Sequence, residues 1–202
     1  MIYFDNAATT YKKPDNVVRA VRSCIRKYSA NPGRGAHKLA LLASEAVFDA
    51  RERVAHFFST DSAERVIFTY NTTYALNLAI KTIVEPGSHV LISNLEHNSA
   101  LRPVHKLKDT VGVRYDVFDA MAGDLHAEIT KCITQKTSTI ICTAASNVTG
   151  YQIPLGVLSD IKRKYGVKLI IDGAQAAGHK KIDLGGIDFD AFAFLHIKQC
   201  LA

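Results

Sequence analysis

Apolar positions along the chain recur with two periods. Short runs rich in β-branched and aromatic residues predict strands over residues 66–69, 89–93, 113–117, 138–143, 167–171 and 189–194. Between most of them the spacing lengthens to three and four. The clearest case covers residues 38–58, where Leu39, Leu42, Ala46, Val47, Ala50, Val54, Phe57 and Phe58 line one helical face. Further helices are predicted to start near Thr73, Ser99, Asp124 and Leu155. Strands alternating with helices imply an α/β layer fold with a mostly parallel sheet. Asn31-Pro32-Gly33-Arg34-Gly35 reads as a loop that separates an N-terminal arm from the long helix.

Ligands of such sheets sit beyond the carboxyl ends of the strands, so the polar residues that follow each run are where chemistry is to be sought. Asn71-Thr72-Thr73 stands at the entry to a helical pattern, where free backbone N–H groups and hydroxyls form a phosphate seat; alone, it would read as an ordinary cap. Asp172 ends the apolar run Leu169-Ile170-Ile171, where a carboxylate is costly unless it meets a cation; an isolated Asp-Gly would more simply be a turn. His97, between a strand and a helix, offers a flat imidazole able to lie over a ring and relay protons, although a lone His is usually structural. Asn147 and Gln175 can bond either a ring oxygen or loop backbone. The glycine patterns of dinucleotide-binding and Walker loops are both absent.

Composition narrows the class. The chain has 202 residues, 48% hydrophobic and 22% charged, enough for a substantial core. Its net charge of +6 is spread over Arg22, Arg26, Lys27, Lys106, Lys108, Lys162, Arg163 and Lys164, read as solvated helix faces, so no nucleic-acid partner is indicated. Four cysteines, Cys24, Cys132, Cys142 and Cys200, show neither metal-ligand nor disulfide-framework spacing; the first three fall in helix or strand patterns and read as buried structural thiols. With no leader pattern and no long apolar run, the expectation is a cytoplasmic protein without a membrane span.

Taken together, several segments carry a specific likeness. Tyr3-Phe4-Asp5-Asn6-Ala7-Ala8-Thr9-Thr10, Phe68-Thr69 with Asn71-Thr72-Thr73 and Asn77, Glu96-His97-Asn98, Ser146-Asn147-Val148-Thr149-Gly150 and Asp172-Gly173-Ala174-Gln175 follow one another in a familiar order and spacing. The chain resembles the class V aminotransferase and cysteine desulfurase family, enzymes that use pyridoxal 5'-phosphate (PLP). The resemblance implies a three-layer α/β/α large domain of a fold-type I PLP-dependent transferase, with residues 1–14 as an arm belonging to the family's small domain and residues 15–202 as an incomplete PLP-binding domain. It places Thr72 and Thr73 at the cofactor phosphate, His97 against the pyridine ring, Asn147 and Gln175 near its hydroxyl, and Asp172 at its nitrogen. His97 rather than a bulky aromatic favours cysteine desulfurases, which convert cysteine to alanine and pass sulfur to an enzyme thiol, over the family's aminotransferases and other lyases. A homodimer and a sulfur-acceptor protein are the partners implied. Asn71 stands where the family usually has Gly.

The likeness weakens at the tail. Lys198 falls where the family's lysine carries PLP as a Schiff base, yet Leu195 replaces a phosphate-binding hydroxyl and Ile197 replaces a His. Loss of one base ahead of codon 195 would account for this, since codons that can encode the tail spell Thr-Ala-His-Lys in the shifted frame, and the DNA sequence tests it. The family's second half, with its small domain, substrate-binding arginine and sulfur-accepting cysteine, has no counterpart here. The expectation for the 202 residues alone is therefore a truncated product, and a non-catalytic fragment is the rival to an active enzyme.

Overall fold

Five of the six runs read as strands pair into one sheet in the computed structural model, which describes residues 2–5, 10–60 and 62–195. They are β1 (His89–Ser93), β2 (Arg114–Phe118), β3 (Thr137–Thr143), β4 (Lys168–Asp172) and β5 (Ala191–Ala193). The order across the sheet is β2-β1-β3-β4-β5 and every neighbouring pair is parallel. Parallel neighbours need crossovers, which helices provide. α4 (Asn98–Val111) leads from β1 to β2, α5 (Leu125–Cys132) from β2 to β3, and α6 (Leu155–Tyr165) from β3 to β4, while α3 (Thr72–Ile83) precedes β1. Because β2 and β3 flank β1 on opposite sides, the chain reverses direction between β1 and β3. That crevice is the switch point at which open α/β sheets bind ligands.

Strand alternation decides which helices cover which face. Val90, Ile92, Ile141 and Ile170 pack with Leu76, Ile80 and Val84 from α3 and its end, and with Ala100 and Val104 from α4. The alternate residues Leu91, Ile140, Leu169 and Ile171 are equally buried on the other face, to which α5 contributes Ile129 and α6 contributes Leu158 and Ile161. Helices on both faces give the three-layer α/β/α arrangement.

Two compact units divide the chain. The sheet and its helices occupy Thr69–Ile182 and Gly186–Leu195; the other unit holds the described residues up to Phe68 together with Asp183–Gly185. Within the latter lie α1 (Asp15–Lys27), α2 (Lys38–Phe57) and a 3-10 turn at Ala63–Arg65. α2 matches the predicted helix to one residue, whereas α1 has no counterpart among the predicted helices. Asp15 in its first turn and Arg26 and Lys27 in its last suit the helix dipole, but no residue of α1 is buried. Residues 66–69 are not a strand. The segment joins no strand ladder among the described residues, and strand propensity alone, without a neighbouring ladder, does not make a strand.

Two further expectations are corrected. Lys162 is not solvated: its ammonium lies 3.0 Å from Asp190 and 3.3 Å from Asp188, and Asp190 also pairs with Lys168 and accepts the Leu169 N–H. This network fastens α6 and the start of β4 to the segment entering β5. Cys24 is exposed and Cys132 half-buried; among the described cysteines only Cys142 is sealed in the core. No helix among the described residues is long and apolar enough to cross a membrane.

Candidate cofactor site

The N-terminus of α3 is built around Asn71. Its backbone is extended, at φ −168°, and its Oδ1 accepts the Tyr74 N–H at 2.8 Å, so Asn at this position caps the helix without needing a glycine conformation. Thr69 Oγ1 donates to the Asn71 carbonyl, and Asn77 Nδ2 donates to the Thr73 carbonyl, holding the turn in shape. The cap leaves the N–H groups of Thr72 and Thr73 without intrahelical acceptors. Thr72 is buried, and its Oγ1 has no hydrogen-bond partner among the described residues. A buried hydroxyl without a partner costs free energy that an anion at this helix end would recover. This fits a phosphate group.

At the carboxyl end of β4, Asp172 is 4% exposed, and its Oδ1 accepts the Ala174 N–H at 2.9 Å. Burial pushes its carboxyl above the usual range, partly offset by that bond and by the charge of His97. A cation delivered to this carboxylate would therefore be held firmly. Gly173 makes the turn possible: a Cβ there would lie 2.2 Å from Cζ of Phe192, and its N–H bonds the Ala193 carbonyl at 2.7 Å. Gln175 follows, half-buried, in a turn closed by Ala177 N–H on the Gly173 carbonyl.

His97 caps α4. Its Nδ1 accepts the Ser99 N–H at 3.1 Å and lies 2.8 Å from Ser99 Oγ, which assigns the proton of the neutral ring to Nε2. The ring is exposed and close enough to Asp172 to lower its pKa, so these two residues share one region. Asn147 is exposed in a turn after β3 that is organised by Ser146, whose Oγ accepts from Val148 and Thr149 N–H at 3.3 Å each. The turn closes through Gly150, at φ +72°, where a side chain would be strained.

Thr72, Thr73, His97, Asn147, Asp172 and Gln175 thus all belong to the sheet unit, at its strand ends and helix starts. Lys198 lies outside the described residues, as does Cys200. Sequence reasoning gave no role to Glu96, although the residue stood in a quoted segment; its carboxyl turns out to be a buried element of this region. A separate shallow cavity of about 340 Å³, lined by Leu101, Arg102, His105, Lys106, Asp109 and Tyr115, contains none of these residues. Among the described residues no cluster of His, Cys, Asp and Glu could hold a metal ion.

The Aminotransferase class-V family model matches residues 2–199. This chain belongs to the class V aminotransferase family. Within it, the chain is 32% identical over 200 residues to a probable cysteine desulfurase of Halalkalibacterium halodurans, covering 96% of this chain and 49% of the relative. It is 34% identical over 201 residues to a probable cysteine desulfurase of Borreliella burgdorferi, covering 96% and 47%. The apo cysteine desulfurase of Thermococcus onnurineus superposes with a TM-score of 0.86 at 30% identity, over 96% of this chain and 49% of that one. The class V aminotransferase chain therefore has the fold-type I architecture, and it spans about half the length of the curated relatives it matches.

Proposed function

We propose that this class V aminotransferase chain forms the PLP site of a cysteine desulfurase-like enzyme acting on L-cysteine. The observation that carries the reading is the pairing of two unmet needs on one edge of the sheet. Among the described residues Thr72 offers a buried hydroxyl without a partner at a helix N-terminus, and Asp172 is a buried carboxylate whose pKa burial raises and that makes no direct ion pair. PLP presents a phosphate and a pyridine nitrogen, the two groups these residues would take. When bound, PLP supplies an electron sink for charge developing on an amino-acid substrate.

The chain's own residues then have separable tasks. Thr72 and Thr73, with the α3 amides, would hold the phosphate end; Asp172 would keep the ring nitrogen protonated; Asn147 and Gln175 would bond the ring hydroxyl; and Lys198 would anchor the cofactor covalently. His97 holds its cap through Nδ1, which leaves Nε2 free of the cap, and with PLP bound this nitrogen would be the one to move a proton. Residues 15–202 act as the cofactor-binding domain, with residues 1–14 as an arm. A homodimer, a sulfur-acceptor protein and a cytoplasmic setting complete the reading. Leu195, standing where the family carries a phosphate-binding hydroxyl, favours a second reading, a non-catalytic fragment that holds PLP less tightly and does not turn over.

Spectral titration of the purified chain with PLP, borohydride reduction and peptide mapping test the reading. A yellow species fixed at Lys198, with alanine formed from cysteine, supports the desulfurase. Fixation without alanine supports the second reading. No binding by a folded sample contradicts both.

A further inference from the structure

Glu96 stands at the switch point of the sheet, and the proposed function leaves it without a task. Its Oε1 accepts hydrogen bonds from Ser93 Oγ, at the end of β1, and from the Thr143 N–H, at the end of β3. The β1–β3 ladder reaches only Ile92↔Ile141, so this carboxyl continues the attachment beyond the last paired residues. Thr143 is in turn paired with Asp172 in the β3–β4 ladder, and its Oγ1 donates to the Ala145 carbonyl and lies 3.3 Å from the Asp172 carbonyl oxygen. One side chain therefore ties the turn that carries His97 to the strand end that abuts Asp172.

The second oxygen determines the form in which Glu96 does this. Oε2 is buried and has no hydrogen-bond partner among the described residues, although the residue as a whole is half-buried. The titratable groups that act on this carboxyl are Asp172 from β4 and the Cys142 thiol from β3; neither is a cation, and His97 interacts instead with Asp172. An ionised carboxylate would leave a charged oxygen unpaired beside a second carboxylate, whereas a protonated one leaves only a hydroxyl. Burial pushes the carboxyl up to about 7, Ser93 and Thr143 pull it down, and Asp172 adds to the rise.

We propose that Glu96 is a positioning residue which, as a neutral acid, clamps the β1–α4 turn to the end of β3 and so fixes His97 relative to Asp172. Its consequence for cofactor chemistry rests on the function proposed above; the clamp itself does not. The test uses the full chain without PLP, as wild type, Glu96→Gln and Glu96→Ala. Gln keeps an acceptor at Oε1 and cannot ionise.

The folded carboxyl titrates near 7 rather than at the ordinary 4.5, so its stabilising contribution is complete below about pH 4.5 and is lost as pH rises through about 7. The wild-type folding constant relative to that of E96Q should fall roughly a hundredfold or more between about pH 4.5 and pH 8. In parallel, the His97 imidazole resonances of E96Q at about pH 5.5 should coincide with those of the wild type. Those of E96A should be displaced. A flat stability ratio across this range, or His97 resonances in E96Q as displaced as in E96A, overturns the proposal. E96Q decides it alone if E96A does not fold. Failure of PLP to bind, with these results intact, counts against the proposed function and not against the clamp.

Discussion

Asp172 carries an energetic conflict that a cofactor would resolve. Its carboxyl is buried and shifted upward, so in the apo chain its stabilising contribution is complete below its ordinary pKa of 3.8 and is lost as pH rises through the folded value. Asp172→Asn is therefore expected to make the apo protein more stable than the wild type at neutral pH, with the advantage vanishing near pH 3; denaturant melts at the two pH values check this. The same change should weaken PLP roughly ten- to a hundredfold, the worth of a charge-assisted hydrogen bond. Stability gained and ligand lost together would mark a group held in a costly state for function. At this scale the polar residues that follow apolar runs, Thr72, His97 and Asp172, stand where the run ends predict, at two helix starts and a strand end. The sequence was silent on Glu96 and misplaced Lys162 in solvent, because the environment of each is assembled from segments distant along the chain: Thr143 for the one, Asp188 and Asp190 for the other.

At the scale of elements, the cap of α3 joins folding to binding. Asn71→Ala removes the bond to the Tyr74 N–H and should cost about 1 kcal/mol in thermal or chemical unfolding. Asn71→Asp should keep that stability, since a carboxylate caps equally well and suits the helix dipole, yet should weaken PLP by placing a negative charge beside the phosphate. Loss of stability with unchanged PLP affinity in Asn71→Asp would argue that the phosphate lies elsewhere. The β4–β5 turn is as exacting for packing. Gly173→Ala would drive a methyl into the Phe192 ring and should cost roughly 1–3 kcal/mol, recovered in part by Phe192→Leu in the same background. Periodicity located the starts of α2 to α6 and the bounds of five strands within two residues, because the helices bury one face and the central strands both. It failed where no face is buried or no partner strand is present: α1 has no buried residue, and residues 66–69 have the composition of a strand without a ladder.

For the whole molecule, the pH dependence of stability should be set by two opposed groups of carboxyls. Glu96 and Asp172 are raised by burial, so Glu96 weakens the fold as pH climbs from about 4.5 through about 7, and Asp172 does so as pH climbs above its ordinary 3.8. Asp190, despite a burial cost, is lowered by the Leu169 N–H and by Lys162 and Lys168, so its contribution is lost as pH falls below its ordinary 3.8. The apo chain is expected to be most stable at mildly acidic pH, and PLP should move that maximum toward neutrality by neutralising the cost at Asp172. Melting curves across pH, with and without PLP, check both statements. Family and layer architecture were legible in the sequence because the segments that carry the family likeness are also the turns after the strands, so motif order and topology coincide. The sulfur-accepting thiol was not legible, and Cys142 on β3 is too deeply buried to serve. The central claim is tested most directly by a crystal structure of the chain with PLP. The account predicts the phosphate on Thr72 and Thr73 at the start of α3 and the ring nitrogen within hydrogen-bonding distance of Asp172; PLP bound elsewhere, or with its nitrogen away from Asp172, would contradict it.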